Sequence, residues 1–264
     1  MLQLVEGFDH FNNTAAGALK GWVVGTGGAS NPTFGFPAGR SDGNCFRFSG
    51  SNGTNNDTYT KLLSAGFAEV FCGFAFRPDA LTFYPQVVFT LMTSAGAIVC
   101  QVRVNANGTI SLLDSASTVI ATGTAIVSGG AFSYIEVHCK IGSSGSVDSR
   151  MNGVADIPLT GHNMGAVNVG GVRMSFPAVG ATLSQNTSWD DIYMCDTSGA
   201  HNTGYLGDIH VETLFATADG HSLQWTPDSG SPHFSRVNEV SPDMDSSYVS
   251  DSNVNDIDSY IFRA

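Results

Sequence analysis

Short segments of alternating apolar and polar residues, each cut off by a turn signal, recur along most of this chain. Cys45-Phe46-Arg47-Phe48 lies between Asp42-Gly43 and Ser49-Gly50. Val70 to Phe76 stops at Arg77-Pro78-Asp79, and Gln86 to Met92 stops at Ser94-Ala95-Gly96. Ile98, Cys100, Val102 and Val104 alternate with Val99, Gln101 and Arg103; Asn107-Gly108 then turns the chain into Thr109 to Leu113. Asn-Gly accepts the positive φ of a tight hairpin, so it predicts two adjacent antiparallel strands. In Tyr134 to Cys139 the residues Ile135, Val137 and Cys139 face one way, and Tyr134, Glu136 and His138 the other. Roughly ten to fourteen such strands, with no amphipathic helix between them, bury their apolar sides only as a sandwich or barrel. One short helical turn is expected near Lys61 to Ala65.

Composition fits that class. The 264 residues include 31 Gly, only 13 % are charged, and Lys20, Lys61 and Lys140 are the only lysines. A helical bundle would need runs of Glu, Lys, Leu and Ala. The net charge of −12 argues against gripping nucleic-acid phosphates or an anionic membrane surface. Met1 to Glu6 has neither the basic start nor the apolar run of a secretory signal, and no stretch is long and apolar enough to span a membrane. The expected site of synthesis is therefore a cytoplasm. Cys45, Cys72, Cys100, Cys139 and Cys195 are odd in number and widely spaced, without a Cys-x-x-Cys pair. Cys72, Cys100 and Cys139 fall at inward positions and read as small buried hydrophobes.

Charge is unevenly spread. Residues 190–264 hold 13 acidic and 2 basic residues, against 10 and 9 in the preceding 189. Trp189 to Tyr193 has the pattern of a last strand, so the boundary is placed after Asp196: a sandwich over 1–196 and an acidic extension over 197–264.

Two resemblances sharpen this. Gly129 to Ser133 leading into Tyr134-Ile135-Glu136-Val137-His138, a Gly-Ser turn, and a strand ending at Met151-Asn152-Gly153 resemble the laminin-G/concanavalin A-like jelly roll. Trp189-Asp190-Asp191-Ile192-Tyr193 resembles that fold's closing strand, which implies pairing with an N-terminal strand within Met1 to Phe11. Beyond it, Gly207 to Leu214, Trp225-Thr226-Pro227, Asn238-Glu239 and Tyr248-Val249-Ser250 follow in an order similar to a family of tailed-bacteriophage virion proteins. That similarity implies a non-enzymatic structural component of a virion, on tail or capsid surface. It would bind other virion proteins and copies of itself through the acidic extension. The alternative is a glycan-binding module for host polysaccharide.

Catalytic and metal motifs are sparse. Jelly-roll glucanases carry paired Glu on one strand, but Glu6, Glu69, Glu136, Glu212 and Glu239 are all more than six residues apart. No catalytic residue and no cofactor are assigned, and a glycoside hydrolase stays a remote alternative. Asp190-Asp191 could ligate Ca²⁺, but a carboxylate taking backbone N–H bonds is the commoner arrangement. Asp251 to Asp256 echoes a calcium loop but lacks its Gly and its closing Glu. His201, His210, His221 and His233 lack metal-ligand spacing, so no metal site is assigned. Tyr84, Tyr134 and Trp225 are the candidate glycan-binding residues, because aromatic faces stack on sugar rings.

Overall fold

The computed structural model describes residues 1–11, 13–25, 33–41, 43–51, 57–81, 85–176, 184–230, 232–238 and 246–263. Two antiparallel sheets pack face to face. The first runs β13 (Val154–His162), β12 (Gly145–Met151), β11 (Ser133–Lys140), β6 (Glu69–Pro78), β15 (Ser184–Asp196), β4 (Phe46–Ser51) and β3 (Thr33–Gly35), with β1 (Leu2–Glu6) also on β15. The second runs β10 (Val119–Ile126), β9 (Thr109–Leu113), β8 (Ile98–Val104), β7 (Gln86–Met92), β14 (Val169–Phe176), β5 (Asp57–Phe67) and β2 (Trp22–Gly25). Beyond the sandwich, β16 (Phe215–Leu223) pairs with β19 (Asp258–Arg263), and β17 (Thr226–Pro227) with β18 (Val249–Ser250). This is a jelly-roll β-sandwich with a C-terminal strand-and-loop extension: the alternation called for a sandwich or barrel, and the resemblance implied the jelly roll. Among the described residues no helix is long and apolar enough to cross a membrane.

The hairpin signals act where they were read. Asn107-Gly108 joins β8 to β9, and Asn152-Gly153 joins β12 to β13 with φ of 51° and 77°. The closing strand β15 lies beside β1, pairing Leu2 with Cys195 and Glu6 with Ile192. The helical turn expected near Lys61 to Ala65 is instead part of β5. Lys61 pairs with β14 and β2, Leu62 pairs with β14, and the strand meets β14 again at Phe67 after a register shift, so ladder pairing at both ends of the segment overrides local preference. Among the described residues the one α-helix is α1, Thr14–Leu19.

Inward-facing aromatic residues fill the sandwich. Tyr59 stacks on Trp22 at 4.8 Å and on Phe46 at 4.2 Å, and Phe74 stacks on Phe89 at 4.0 Å. Trp189 lies edge-on to Phe48. All are buried, and each contributes roughly 1.5–3 kcal/mol by leaving water. All five cysteines are free and buried; in the core, burial raises the thiol pKa of Cys72, while Cys139 and burial together raise that of Cys100.

The outer side of the first sheet departs from the simple alternation. Tyr134, Glu136 and His138 read as the polar side of β11, yet all three are buried. Residues 204–213 lie across this sheet and bury a second cluster of Ala75, Tyr134, Tyr193 and Cys195, with Leu206 and Ile209 packed on it. The crossing segment is held by side chains of the sheet. Its Leu206 N–H donates to the Tyr193 hydroxyl, Gly207 N–H to Glu136, Val211 N–H to Asp191 and Thr213 N–H to Asp9. Tyr205 donates its hydroxyl proton to Asp148 at 2.6 Å. One glycine permits the close approach, since a Cβ on Gly7 would meet the Val211 carbonyl at 2.4 Å; within the sheet, a Cβ on Gly73 would meet the Tyr193 ring at 2.3 Å.

Candidate functional site

With one outer face closed, the open polar surface of the sandwich is the outer side of the seven-stranded sheet. Register places its side chains in cross-strand rows. Thr60, Arg173, Thr90, Gln101 and Leu113 are successive partners across β5, β14, β7, β8 and β9. Two residues along, Arg103 faces Ser111, which faces Thr122. Ser175 beside Thr58 continues that side on β14 and β5. Every second residue of a strand faces the same way, so the pattern that buries Val102, Val104 and Met174 in the core puts Gln101, Arg103, Arg173 and Ser175 on the other side of the sheet, the two arginines half-buried and Gln101 and Ser175 largely covered. These residues line a shallow groove of about 430 Å³ bordered by Pro85, Ile98 and Ser117.

Hydrogen bonds hold the groove's polar groups in fixed positions. Arg103 donates Nε–H to Asn105 Oδ1 at 3.0 Å, and Arg173 donates Nε–H to Thr60 Oγ1 at 3.4 Å. Asn105 donates in turn to Thr109 and Ser111, and Ser111 bonds Thr122. Ser117 donates its hydroxyl to Gln101 Oε1 at 2.8 Å, which assigns the carbonyl end of that amide. Burial lowers the pKa of Arg173, but a guanidinium stays charged in water-accessible protein.

What sets these two arginines apart is their partners. Arg40 meets Asp191 and Asp208, Arg47 meets Asp79, and Arg236 meets Asp228. Arg77 and Arg150 lie over the rings of Phe132 and Tyr205. Among the described residues, Arg103 and Arg173 have neither a carboxylate nor a ring. In a chain with 23 acidic and 11 basic residues, two strand-borne guanidiniums without counter-charge form a place for an anion.

The aromatic residues read as glycan platforms are not brought together. Tyr84 lies outside the described residues. Tyr134 is buried beneath the crossing segment and donates its hydroxyl proton to the Asp191 carbonyl, so its ring offers no face to a sugar. Trp225 is 39 % exposed in the extension, remote from the groove in the sheet order, with its ring N–H bonded to the Asp256 carbonyl. Sequence reasoning passed over Arg103, Arg173, Gln101 and Thr90. The signal was present, since all four are polar residues at outward positions of central strands.

Asp190 and Asp191 have their oxygens occupied by protein donors. Asp190 accepts from the Arg40 and Asp191 N–H groups, and Asp191 from Val211 N–H and the Arg40 guanidinium. They sit at a bulge in β15, with Asp191 at φ 50°. Burial and the neighbouring Asp191 charge push Asp190 up to about 7 against the bonds it accepts. A second hollow of about 550 Å³ lies between Val5–His10 and residues 211–215. Its buried carboxylate, Glu6, is already used by Phe8 N–H and the Trp22 ring N–H.

No family model matches this chain, and no curated protein matches it. Solved structures do match in fold. An endo-β-1,4-glucuronan lyase from Trichoderma reesei superposes with a TM-score of 0.56 at 14 % identity, over 74 % of this chain and 95 % of that one. The cellulose-induced protein Cip1 gives 0.54 at 11 % identity, over 73 % and 97 %. A sialidase gives 0.57 at 8 % identity over 75 % of this chain, which spans only 19 % of the sialidase. At these identities the likeness is one of fold. The expectation that the chain is not an enzyme is nevertheless overturned: the same architecture, at nearly the full length of the other chain, is that of a polysaccharide lyase.

Proposed function

We propose that this protein recognises an acidic polysaccharide on the outer face of its seven-stranded sheet. The observation that carries this is the pair Arg103 and Arg173, held by neutral side chains and flanked by Gln101, Thr90 and Ser175. A guanidinium takes a carboxylate through parallel N–H bonds, and amides and hydroxyls bind sugar hydroxyls. The likeness to a glucuronan lyase supports the same reading at the level of fold.

The chemistry follows from the charges. A uronate carboxylate placed against Arg103 or Arg173 is neutralised, and neutralising it raises the acidity of the adjacent ring carbon. That is the first requirement of β-elimination. The described residues of the groove lining include no His or Tyr to remove the proton. Arg103 and Arg173 would carry the binding step, and turnover is measured alongside it. Placement on a tailed-phage particle, implied by the order of motifs in the extension, is a companion proposal tested by mass spectrometry of purified particles.

Titration calorimetry with a soluble polyuronate and a neutral glucan of similar length tests the groove. The polyuronate is expected to bind and the glucan to bind weakly. Ultraviolet absorbance of unsaturated uronate ends reports elimination in the same mixture. Equal binding of both polymers, or polyuronate binding untouched by Arg103→Ala with Arg173→Ala, would overturn the assignment.

A further inference from the structure

The C-terminal unit has almost no core. Of the buried hydrophobic side chains among the described residues, Ala216 is the one that falls beyond Cys195. Its large apolar residues face water instead: Leu223, Trp225, Val254, Ile257, Ile261 and Phe262 are all exposed. Ile261 and Phe262 are adjacent on β19 and therefore point to opposite sides of the sheet, yet they are 46 % and 53 % exposed. Neither side of β19 is covered there. Among the described residues β16 and β19 pair only with each other, so each keeps an open edge. Two strands alone are marginally stable in water; a third strand with apolar contacts is the usual remedy.

Charge says what kind of strand fits. Residues 215–264 hold eight Asp or Glu and two Arg, and one of these, Arg236, already faces Asp228. Asp251 and Asp256 flank Val254 and Ile257 on the exposed loop that leads into β19. The Trp225 ring N–H bonds the Asp256 carbonyl, and Trp225 N–H bonds Asp258, which fixes the indole beside that loop. A second copy of this chain would bring the same negative charge. A partner with alternating apolar and basic side chains would satisfy the apolar faces, the open edge and the carboxylates together.

We infer that the β16–β19 pair is a docking edge for an extended, basic and apolar segment of another protein, which adds a third strand. The site is separate from the arginine groove, so the two stand or fall independently.

Fluorescein-labelled peptides of alternating Val and Lys, and matched peptides of alternating Val and Glu, are titrated with the full chain and read by anisotropy. The Lys peptide is expected to bind at least about tenfold more tightly, and to weaken as salt is added. Ile261→Asp combined with Phe262→Asp should lose that binding, whereas Arg103→Ala should keep it. If that apolar variant misfolds, Asp251→Lys with Asp256→Lys, at one exposed and one half-buried loop position outside the paired strands, should reverse the peptide preference. Equal affinity for the two peptides, or binding of neither, overturns the inference. So does a stable oligomer of the full chain, seen by mass photometry and dissolved by Ile261→Asp, because the occupant would then be a second copy.

Discussion

The two outer faces of this sandwich start from the same pattern and end differently. Both consist of polar residues at alternate positions of central strands. On the first sheet, Glu136, Asp148 and Asp191 accept hydrogen bonds from residues 205–211, and the face is sealed. On the second, Arg103 and Arg173 are held by one neutral side chain each and their charge is uncompensated. A polar side chain on a strand is thus not a site in itself. It becomes one when no other part of the chain uses its hydrogen-bonding capacity. The sealed face carries carboxylates and receives backbone N–H groups; the open face carries guanidiniums, suited to an anion.

The strongest way to break this contrast is to remove both arginines. Each charge-assisted contact is worth about 1.5–3 kcal/mol, so Arg103→Ala with Arg173→Ala should cost at least roughly a hundredfold in polyuronate affinity. Thermal melting should change little, which calorimetry and circular dichroism on the same samples will show. On the sealed face the opposite holds. Asp191→Ala strands Val211 N–H and removes one of the two carboxylates that meet the Arg40 guanidinium, and should destabilise by about 2–3 kcal/mol in urea unfolding. Amide exchange in residues 205–213 should accelerate, with polyuronate binding unchanged. Tyr193→Phe removes one bond to Glu136 and one from Leu206 and should cost about 1 kcal/mol.

A smaller effect depends on pH. Burial pulls His138 down, but hydrogen bonds to Asp148 and Glu69 carry its pKa above the usual 6.5. Burial likewise pushes Asp148 up, and its bonds from His138 and Tyr205 bring it below 3.8. A raised histidine stabilises fully below its ordinary value and loses that contribution as pH rises through the shifted one. A depressed carboxylate stabilises above its ordinary value and loses that as pH falls through the shifted one. The cluster therefore contributes most between about pH 4 and 6.5. The melting difference between wild type and His138→Gln should be largest in that window and shrink above it. Least of all should change with Trp225→Ala, which leaves both faces intact. If that substitution weakened polyuronate binding as much as the arginine pair does, the open sheet would not be the binding face.

The structure also says where to cut. Truncation after Asp196 would strip the cover from Tyr134 and Tyr193, so it tests the cover of the sandwich as much as the extension. A truncation after Leu214 keeps that cover and removes the β16–β19 unit alone.

Strand positions were legible in the chain because they depend on local rules. A period of two and Asn-Gly at two hairpins marked the strands and a sandwich or barrel, while the resemblance to the jelly roll implied the place of β1 beside β15. They also put Cys72, Cys100 and Cys139 inside. The helical turn near Lys61 failed because pairing to β14 at Lys61, Leu62 and Phe67, with β2 also at Lys61, outweighs propensity over a few residues. Tyr134 failed as a sugar platform for a related reason: which side of a strand faces water is local, but whether that side stays wet is not. Only the tertiary structure laid residues 204–213 over one sheet and left Arg103 and Arg173 uncovered on the other. Those contacts join residues far apart in sequence, up to 204 positions between Asp9 and Thr213, and no local pattern encodes them.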